Sequence, residues 1–336
     1  MADFEKSLTQ LEQLVGVDSE ATYGDDAFEG ADPTDYLAFD EFEVDPEYGE
    51  AEDEAVLAVH SGRKSDTWGD YLGVSWTLPL TLAPAAGDPP AWAALLKSSN
   101  FEETIEADTS VTYKPVTGNA MARVPSATAI YYMIESGHES AYKWILEGLR
   151  TDLTIQLEMN EYARISGDSR ALFAPQPSTT VPKPSNPTTY SGDDAIPRVV
   201  NLQATAGSEV IEIESLEIAT EWDWGMDYQG ANTPDGSVSE IHLVRQRGSN
   251  MSAGITLKAR GHALETMIPE LDDDNAFEIS ATLAKGGRSL DISMPRVQFT
   301  GYSYTGDNRK SYDLEAQLCG DFADGGGEND LVLEFT

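Results

Sequence analysis

A mainly β protein, built from sandwich- or barrel-like domains with a few short helices, is what the sequence predicts, and three observations predict it. Runs that alternate apolar and polar residues dominate the chain from residue 55 to the C-terminus. Helix signals after that point are confined to two short stretches. A segment at 175–197 carrying six prolines divides the chain into halves that share one order: strands, a short helix, a hairpin and a further strand pair. That shared order suggests an internal duplication of a small β domain into two tandem copies. With 336 residues, 40% of them apolar and including six Trp and fourteen Tyr, the chain has ample material for a core and falls outside the disordered class.

The boundaries that follow are an acidic N-terminal arm at 1–54, a first β domain at 55–174, a proline-rich linker at 175–197 and a second β domain at 198–336. The first 56 residues hold 19 acids and a single base, Lys6. Phe4, Leu8, Leu11 and Val15 recur at helical spacing before Gly16, which predicts one short amphipathic helix. Such a helix either docks on a neighbouring copy or covers its own domain. Residues 18–54 read as extended and solvated, with Tyr23, Phe28, Tyr36, Phe39 and Phe42 as anchor points.

Strands are expected at 55–59 and 72–82, the latter placing Trp76, Leu78, Leu80 and Leu82 on one face. Pro89 and Pro90 open a helix whose stripe of Trp92, Leu95, Leu96 and Phe101 reads as core. Strands follow at 110–115, 127–134, 141–146 and 153–159, with a hairpin at Ser136 and Gly137. Beyond the linker, whose composition resists helix and sheet, strands are expected at 199–203, 211–218, 240–245 and 253–259. A helix from His262 to Pro269 turns Leu264, Met267 and Ile268 inward. Residues 277–283 and 289–294 form a hairpin across Lys285, Gly286 and Gly287, and strands at 297–304, 311–318 and 331–335 finish the sheet.

The charge is −38, from 59 acidic and 21 basic residues. Electrostatic capture of nucleic acid needs a basic surface, so this composition argues against binding to DNA or RNA from free solution. The acids run from Asp3 to Glu334 and only nine lysines are present, a spread that points to adaptation to a very salty medium rather than to one acidic patch. At molar salt the Debye length is about 3 Å, so repulsion within the chain is quenched while carboxylates keep the surface hydrated. The one cysteine, Cys319, excludes an intrachain disulfide and reads as a small packed hydrophobe. No apolar stretch reaches membrane-span length, and no secretory signal opens the chain.

Recognisable chemistry is missing. His60, His138, His242 and His262 stand at no metal-ligand spacing to one another, and no nucleophile elbow, phosphate loop or dinucleotide fingerprint occurs. The run Asp272, Asp273, Asp274, Asn275 lacks the glycine and distal Glu of a calcium loop and reads as a solvated turn. Gly325 to Gly327 read as a flexible connection. No carboxylate pair can be picked for acid and base work from 59 acids. Trp222 and Trp224 flank Asp223 and share a face, which suits a buried or subunit-contact role better than sugar stacking. The expectation is a non-enzymatic protein without metal or cofactor.

Several stretches together carry a family resemblance. They are VSWTLPLTL followed by PPAWAALLKSSNFEET, then TSVTYKP and SATAIYYMIESG, then VIEIESLEIATEW after the linker, and finally RSLDISMPRVQFTGYSYTGDNRKSYDLEAQL leading to DLVLEFT. In order and residue type the chain from Ala55 onward resembles the tail tube proteins (major tail proteins) of long-tailed viruses and phages. Combined with the salt-adapted composition, this points to a tailed virus of halophilic archaea. The acidic N-terminal segment departs from the family pattern.

The resemblance implies a β-sandwich whose inner sheets join across subunits into a continuous barrel. Rings of copies, three chains as a pseudo-hexamer or six, then stack into a hollow tube. Partners are further copies, other tail proteins at the tube ends, and viral double-stranded DNA passing through the lumen without specific binding. The location is the virion tail, with assembly in the host cytoplasm and no membrane. Contacts between rings are expected from residues 2–15, the 226–236 loop and the linker, with Phe4, Leu8, Leu11, Trp222 and Trp224 as contact residues. Trp92, Leu95, Leu96, Met267 and Ile268 are expected in the helix cores. The alternative from another class is an extracellular β-sandwich for adhesion or carbohydrate binding. A hydrolase with an acid pair and another virion component, such as a tail terminator, are the remaining readings.

Overall fold

The structure, a computed structural model, describes residues 11–33, 35–52, 65–116, 124–135, 139–174, 180–184, 188–190, 196–206, 209–228, 238–244, 252–258, 277–305, 311–318 and 330–336. The expected strand at 55–59, the helix at 262–269 with Met267 and Ile268, the 272–275 run, Phe4, Leu8 and Cys319 lie outside the described residues.

The first half runs β1 (Leu11–Ser19), β2 (Asp35–Leu37), β3 (Glu41–Glu52), β4 (Ser65–Pro79), α1 (Ala93–Ser98), β5 (Phe101–Glu106), β6 (Ser110–Pro115), β7 (Ala127–Glu135), β8 (Ser140–Glu158) and β9 (Arg164–Leu172). Two three-residue strands, β10 (Thr180–Pro182) and β11 (Thr188–Tyr190), stand within the proline-rich segment. The second half runs β12 (Arg198–Ala206), β13 (Glu209–Ala219), β14 (Asp223–Tyr228), β15 (Val238–Val244), β16 (Ser252–Lys258), β17 (Phe277–Lys285), β18 (Arg288–Thr305), β19 (Ser311–Leu318) and β20 (Val332–Phe335). Among the described residues, no helix is long and apolar enough to cross a membrane.

The ladders arrange these strands as a sandwich. One layer is a continuous antiparallel sheet of eight strands in the order β3–β4–β9–β8–β13–β16–β19–β18. The second layer comes in two pieces, β11–β2–β1–β7–β8–β10 and β12–β17–β18–β20–β6–β5. Strands β8, β13 and β18 serve both layers, β13 by pairing with β12 through residues 209–212 and with β16 from residue 213. In β8 and β18, a bulge divides the part that pairs with the preceding strand from the part that pairs with the following one: residues 146–149 in β8 and 294–297 in β18. A bulge bends a strand and strengthens its twist, which carries the chain round the corner of the sandwich. Where the sequence pattern suggested separate strands at 141–146 and 153–159, and at 289–294 and 297–304, one bent strand runs through. Pro295 is tolerated in β18 because it sits at the bulge.

Alternation explains the core between the layers. Leu72, Val74, Trp76 and Leu78 of β4, Leu153, Ile155 and Leu157 of β8, and Leu216 and Ile218 of β13 point inward and are buried. The stripe Trp92, Leu95 and Leu96 of α1 joins the same cluster. The hairpin of β17 and β18 turns at Gly286 and Gly287, whose φ values of 63° and 82° are those a two-residue primed turn requires.

The halves repeat one topology. In chain order β1, β3, β4, β7, β8, β9 and β10 match β12, β13, β16, β17, β18, β19 and β20, and the neighbour order β1–β7–β8–β9–β4–β3 matches β12–β17–β18–β19–β16–β13. Strand β10 lies beside the N-terminal part of β8 as β20 lies beside that of β18. The ladders also cross the proline-rich segment, since β8 pairs with β13 and β20 pairs with β6.

The N-terminal region differs from the sequence expectation. Leu11 to Val15, assigned to an amphipathic helix, belong to β1, which pairs with β7 over nine residues. The four-residue apolar spacing gives way to the backbone partners that β7 offers along its whole edge. Residues 41–46, expected as solvated chain, form an edge strand in which Phe42 is buried while Glu41, Glu43 and Asp45 are exposed. Acids at every second position hid an alternating strand inside an acidic run.

Candidate assembly surface

The eight-stranded layer turns one face to the core and the other to solvent. On the outer face the rows read across strands as Glu43, Ser75, Asp168, Asp152 and as Pro79, Arg164, Gln156, Glu217, Gly254, Glu315. Small and polar side chains predominate, and the exposed acids Glu41, Glu43, Asp45, Glu158, Asp168, Glu217 and Glu315 outnumber Arg164 and Arg170. Asp152 and Asp168 stand directly opposite each other on β8 and β9. The Asp152 carboxyl is held above its ordinary value, chiefly by burial and further by Asp168 and Glu221, against hydrogen bonds from Thr220 and Trp222 that favour its charged form.

The two outer edges of this layer carry no ladder among the described residues. Strand β3 pairs with β4 on one side only, and β18 beyond Val297 pairs with β19 on one side only. An unpaired edge presents a row of backbone donors and acceptors and is a template for another strand.

Where the two halves meet inside the chain, the same kind of edge is filled. Residues 154–158 of β8 pair with 215–219 of β13. Polar side chains lock the end of this ladder. The Thr220 N–H donates to the Leu153 carbonyl at 2.9 Å, and the Leu153 N–H donates to the Thr220 hydroxyl oxygen at 2.8 Å. Asp152 accepts from the Thr220 hydroxyl and from the Trp222 N–H. The Gln156 amide donates to Glu217 across the strands at 3.1 Å.

A second polar cluster fixes the corner of β8. Glu20, only 4% exposed, accepts from the N–H of Gly148 at 2.6 Å, from the Thr128 hydroxyl at 2.9 Å, from the Gly24 N–H at 2.8 Å and from the Ser126 hydroxyl. Gly148 takes a φ of 66° in the bulge, which favours glycine. Arg150, likewise buried, donates to the Val124 carbonyl at 3.1 Å and stacks on the Tyr23 ring, and burial lowers its pKa. The Tyr23 oxygen accepts from the Ile241 N–H at 2.8 Å, and burial pushes its hydroxyl well above the ordinary phenol value. This cluster ties the β14–β15 hairpin to the first half and lines a cleft of ≈ 300 Å³.

The residues singled out in the sequence fall as follows. Leu11 opens β1 opposite Glu135. Trp222 is 4% exposed and donates from its ring N–H to Ser99 at 3.2 Å, so it offers no surface to another ring. Trp224 is half-buried beneath the Arg170 guanidinium, which also lies over Tyr71. His242 stands 3.1 Å from Asp227 and 3.6 Å from Glu240, a trio on β14 and β15 that could hold a cation among the described residues. Pairing between the two strands makes this group, so spacing along the chain did not reveal it. Neither a family model nor a curated protein matches this chain.

Proposed function

We propose that this chain is a structural subunit that closes with copies of itself into rings, stacked as the hollow tail tube through which viral DNA passes. The observation that supports this most is the eight-stranded layer, open at both outer edges among the described residues and presenting a small-residue, acidic outer face. Open edges are satisfied when neighbouring subunits add their strands, and a barrel removes edges altogether. An acidic, small-residue wall facing the lumen gives DNA phosphates no counterion-release gain, so the cargo slides. The tail-tube-like stretches in the sequence fall largely on this framework, from β4 and α1 through β13 to β18 and β20. Such a subunit works in the virion tail after assembly in the host cytoplasm and acts without cofactor.

Negative-stain electron microscopy of purified protein at molar salt tests this. Hollow rings or tubes are expected. A protein that remains monomeric by light scattering at high concentration and shows no rings overturns it.

A further inference from the structure

We propose that the β14–β15 hairpin binds one divalent transition-metal ion of the zinc class, with Asp227, Glu240 and His242 as its protein ligands. The site stands apart from the tube reading and needs no second copy of the chain.

The register of the hairpin builds it. Asp227 of β14 faces Glu240 of β15, and Gly225 faces His242. Side chains alternate along a strand, so Glu240 and His242, two residues apart, share the face on which Asp227 stands. Two carboxylates directly opposed across a ladder repel each other, and a cation between them removes that cost. The His242 Nε2 lies 3.1 Å from the Asp227 Oδ2, and its Nδ1 lies 3.6 Å from the Glu240 Oε1. One ligand atom from each of the three residues falls within 4.8 Å of the others. Zinc bonds of about 2.0–2.2 Å to nitrogen and oxygen put neighbouring ligand atoms roughly 3–3.5 Å apart. The pair at 3.1 Å is already at that spacing, and Glu240, not fully buried, can draw in to meet it.

A second observation sets this group beside a cavity with unmet donors. Glu240 and His242 line the cleft of ≈ 300 Å³ together with Asn100 and Arg150. Asn100 is 2% exposed and Arg150 8%, yet the Asn100 Nδ2 and the Arg150 Nε meet no hydrogen-bond acceptor among the described residues. Glu240 is near enough to Arg150 to act on its charge, so ligand and donors border the same space. Buried donors are met in folded proteins by protein or by ordered water. An ion held by three side chains keeps a further position for water or a small anion, whose oxygen is the kind of acceptor these donors require.

Ligand type selects the metal. Mg²⁺ and Ca²⁺ take oxygen ligands, whereas an imidazole beside two carboxylates suits Zn²⁺ or Co²⁺. The distinction matters in a chain with 59 acids, whose carboxylates alone gather hard cations diffusely. A bound ion fastens β14 to β15 and so stiffens the hairpin that the bond from the Ile241 N–H to Tyr23 ties to the first half.

The test strips the full chain with a chelator, dialyses it into molar NaCl with excess Mg²⁺ to occupy the diffuse carboxylates, and titrates it with Co²⁺. A single saturable equivalent per chain is expected, seen as the intense visible absorption of low-coordinate Co²⁺ and displaced by Zn²⁺. Asp227→Asn and His242→Ala each weaken binding by roughly tenfold or more, whereas Glu43→Gln, far from the hairpin in sequence and on β3, leaves it unchanged. Circular dichroism verifies that each variant is folded, and Glu240→Gln gives the same reading where one is not. Zn²⁺ also raises the melting temperature of the unsubstituted chain and not of the variants. Absence of saturable Co²⁺ binding in the presence of Mg²⁺, or binding that His242→Ala leaves unchanged, overturns the site whether or not the protein forms rings.

Discussion

Glu20 lies just past β1, and its carboxylate gathers donors from three separate stretches: Gly24, Ser126 with Thr128, and Gly148. A buried carboxylate is stable only when its lone pairs are met, and here the bonds also hold the bulge that bends β8. Glu20→Ala strands two backbone N–H groups and leaves the buried Arg150 with Glu240 as its remaining counter-charge. The expected loss is about 3–5 kcal/mol in urea unfolding at molar salt. Glu20→Gln, which keeps an acceptor, should lose roughly half as much. An unchanged unfolding midpoint for the alanine variant would show that the cluster contributes nothing to the corner. Nothing in the sequence marked Glu20 among 19 acids in its region, because all its partners but Gly24 lie more than a hundred residues away.

At the scale of elements, the C-terminal strand β20 shows how the halves depend on each other. It pairs with β18 of its own half on one side and with β6 of the first half on the other. Its Phe335 ring stands edge-on to Trp92 of the α1 region at 5.9 Å and to Tyr113 of β6 at 5.8 Å. Phe335→Ala opens a cavity among residues that cannot collapse independently, and a destabilisation of about 3–5 kcal/mol is expected in a single cooperative transition. Two separated transitions would mean that the halves unfold apart. The alternation of β4, β6, β7, β17 and β19 was legible because one face is buried and the other wet. Strands β1, β3 and β9 were not. Strand β1 is hidden by its helical apolar spacing and β3 by its acids, and in β9, RISGDSRAL, the small residues Gly167, Ser169 and Ala171 fill the buried face and dilute the signal.

For the whole molecule, the decisive quantity is charge density on a folded surface. At a net charge of −38, with carboxylates such as Asp152 and Asp168 opposed on adjacent strands, the native state concentrates repulsion that the unfolded chain disperses. Lowering ionic strength from molar to about 0.1 M lengthens the Debye length from about 3 to about 10 Å, bringing many more pairs into range. The melting temperature is expected to fall steeply over that change, and less steeply for Asp168→Asn, as followed by circular dichroism. A melting temperature independent of salt would contradict the salt-adapted reading of the composition.

The sequence by itself determined the mainly β class, the hairpin at Gly286 and Gly287, the buried stripe of α1 and the acidic surface, since each depends on local periodicity, turn chemistry or composition. Only the tertiary structure decided that the halves share one topology, that the bent strands β8 and β18 carry the chain between layers, and that β3 and β18 are the open edges among the described residues. Those features depend on which strand lies beside which. Ladder hydrogen bonds join residues far apart in the chain through backbone groups that every residue except proline carries alike, so side-chain order leaves them unmarked.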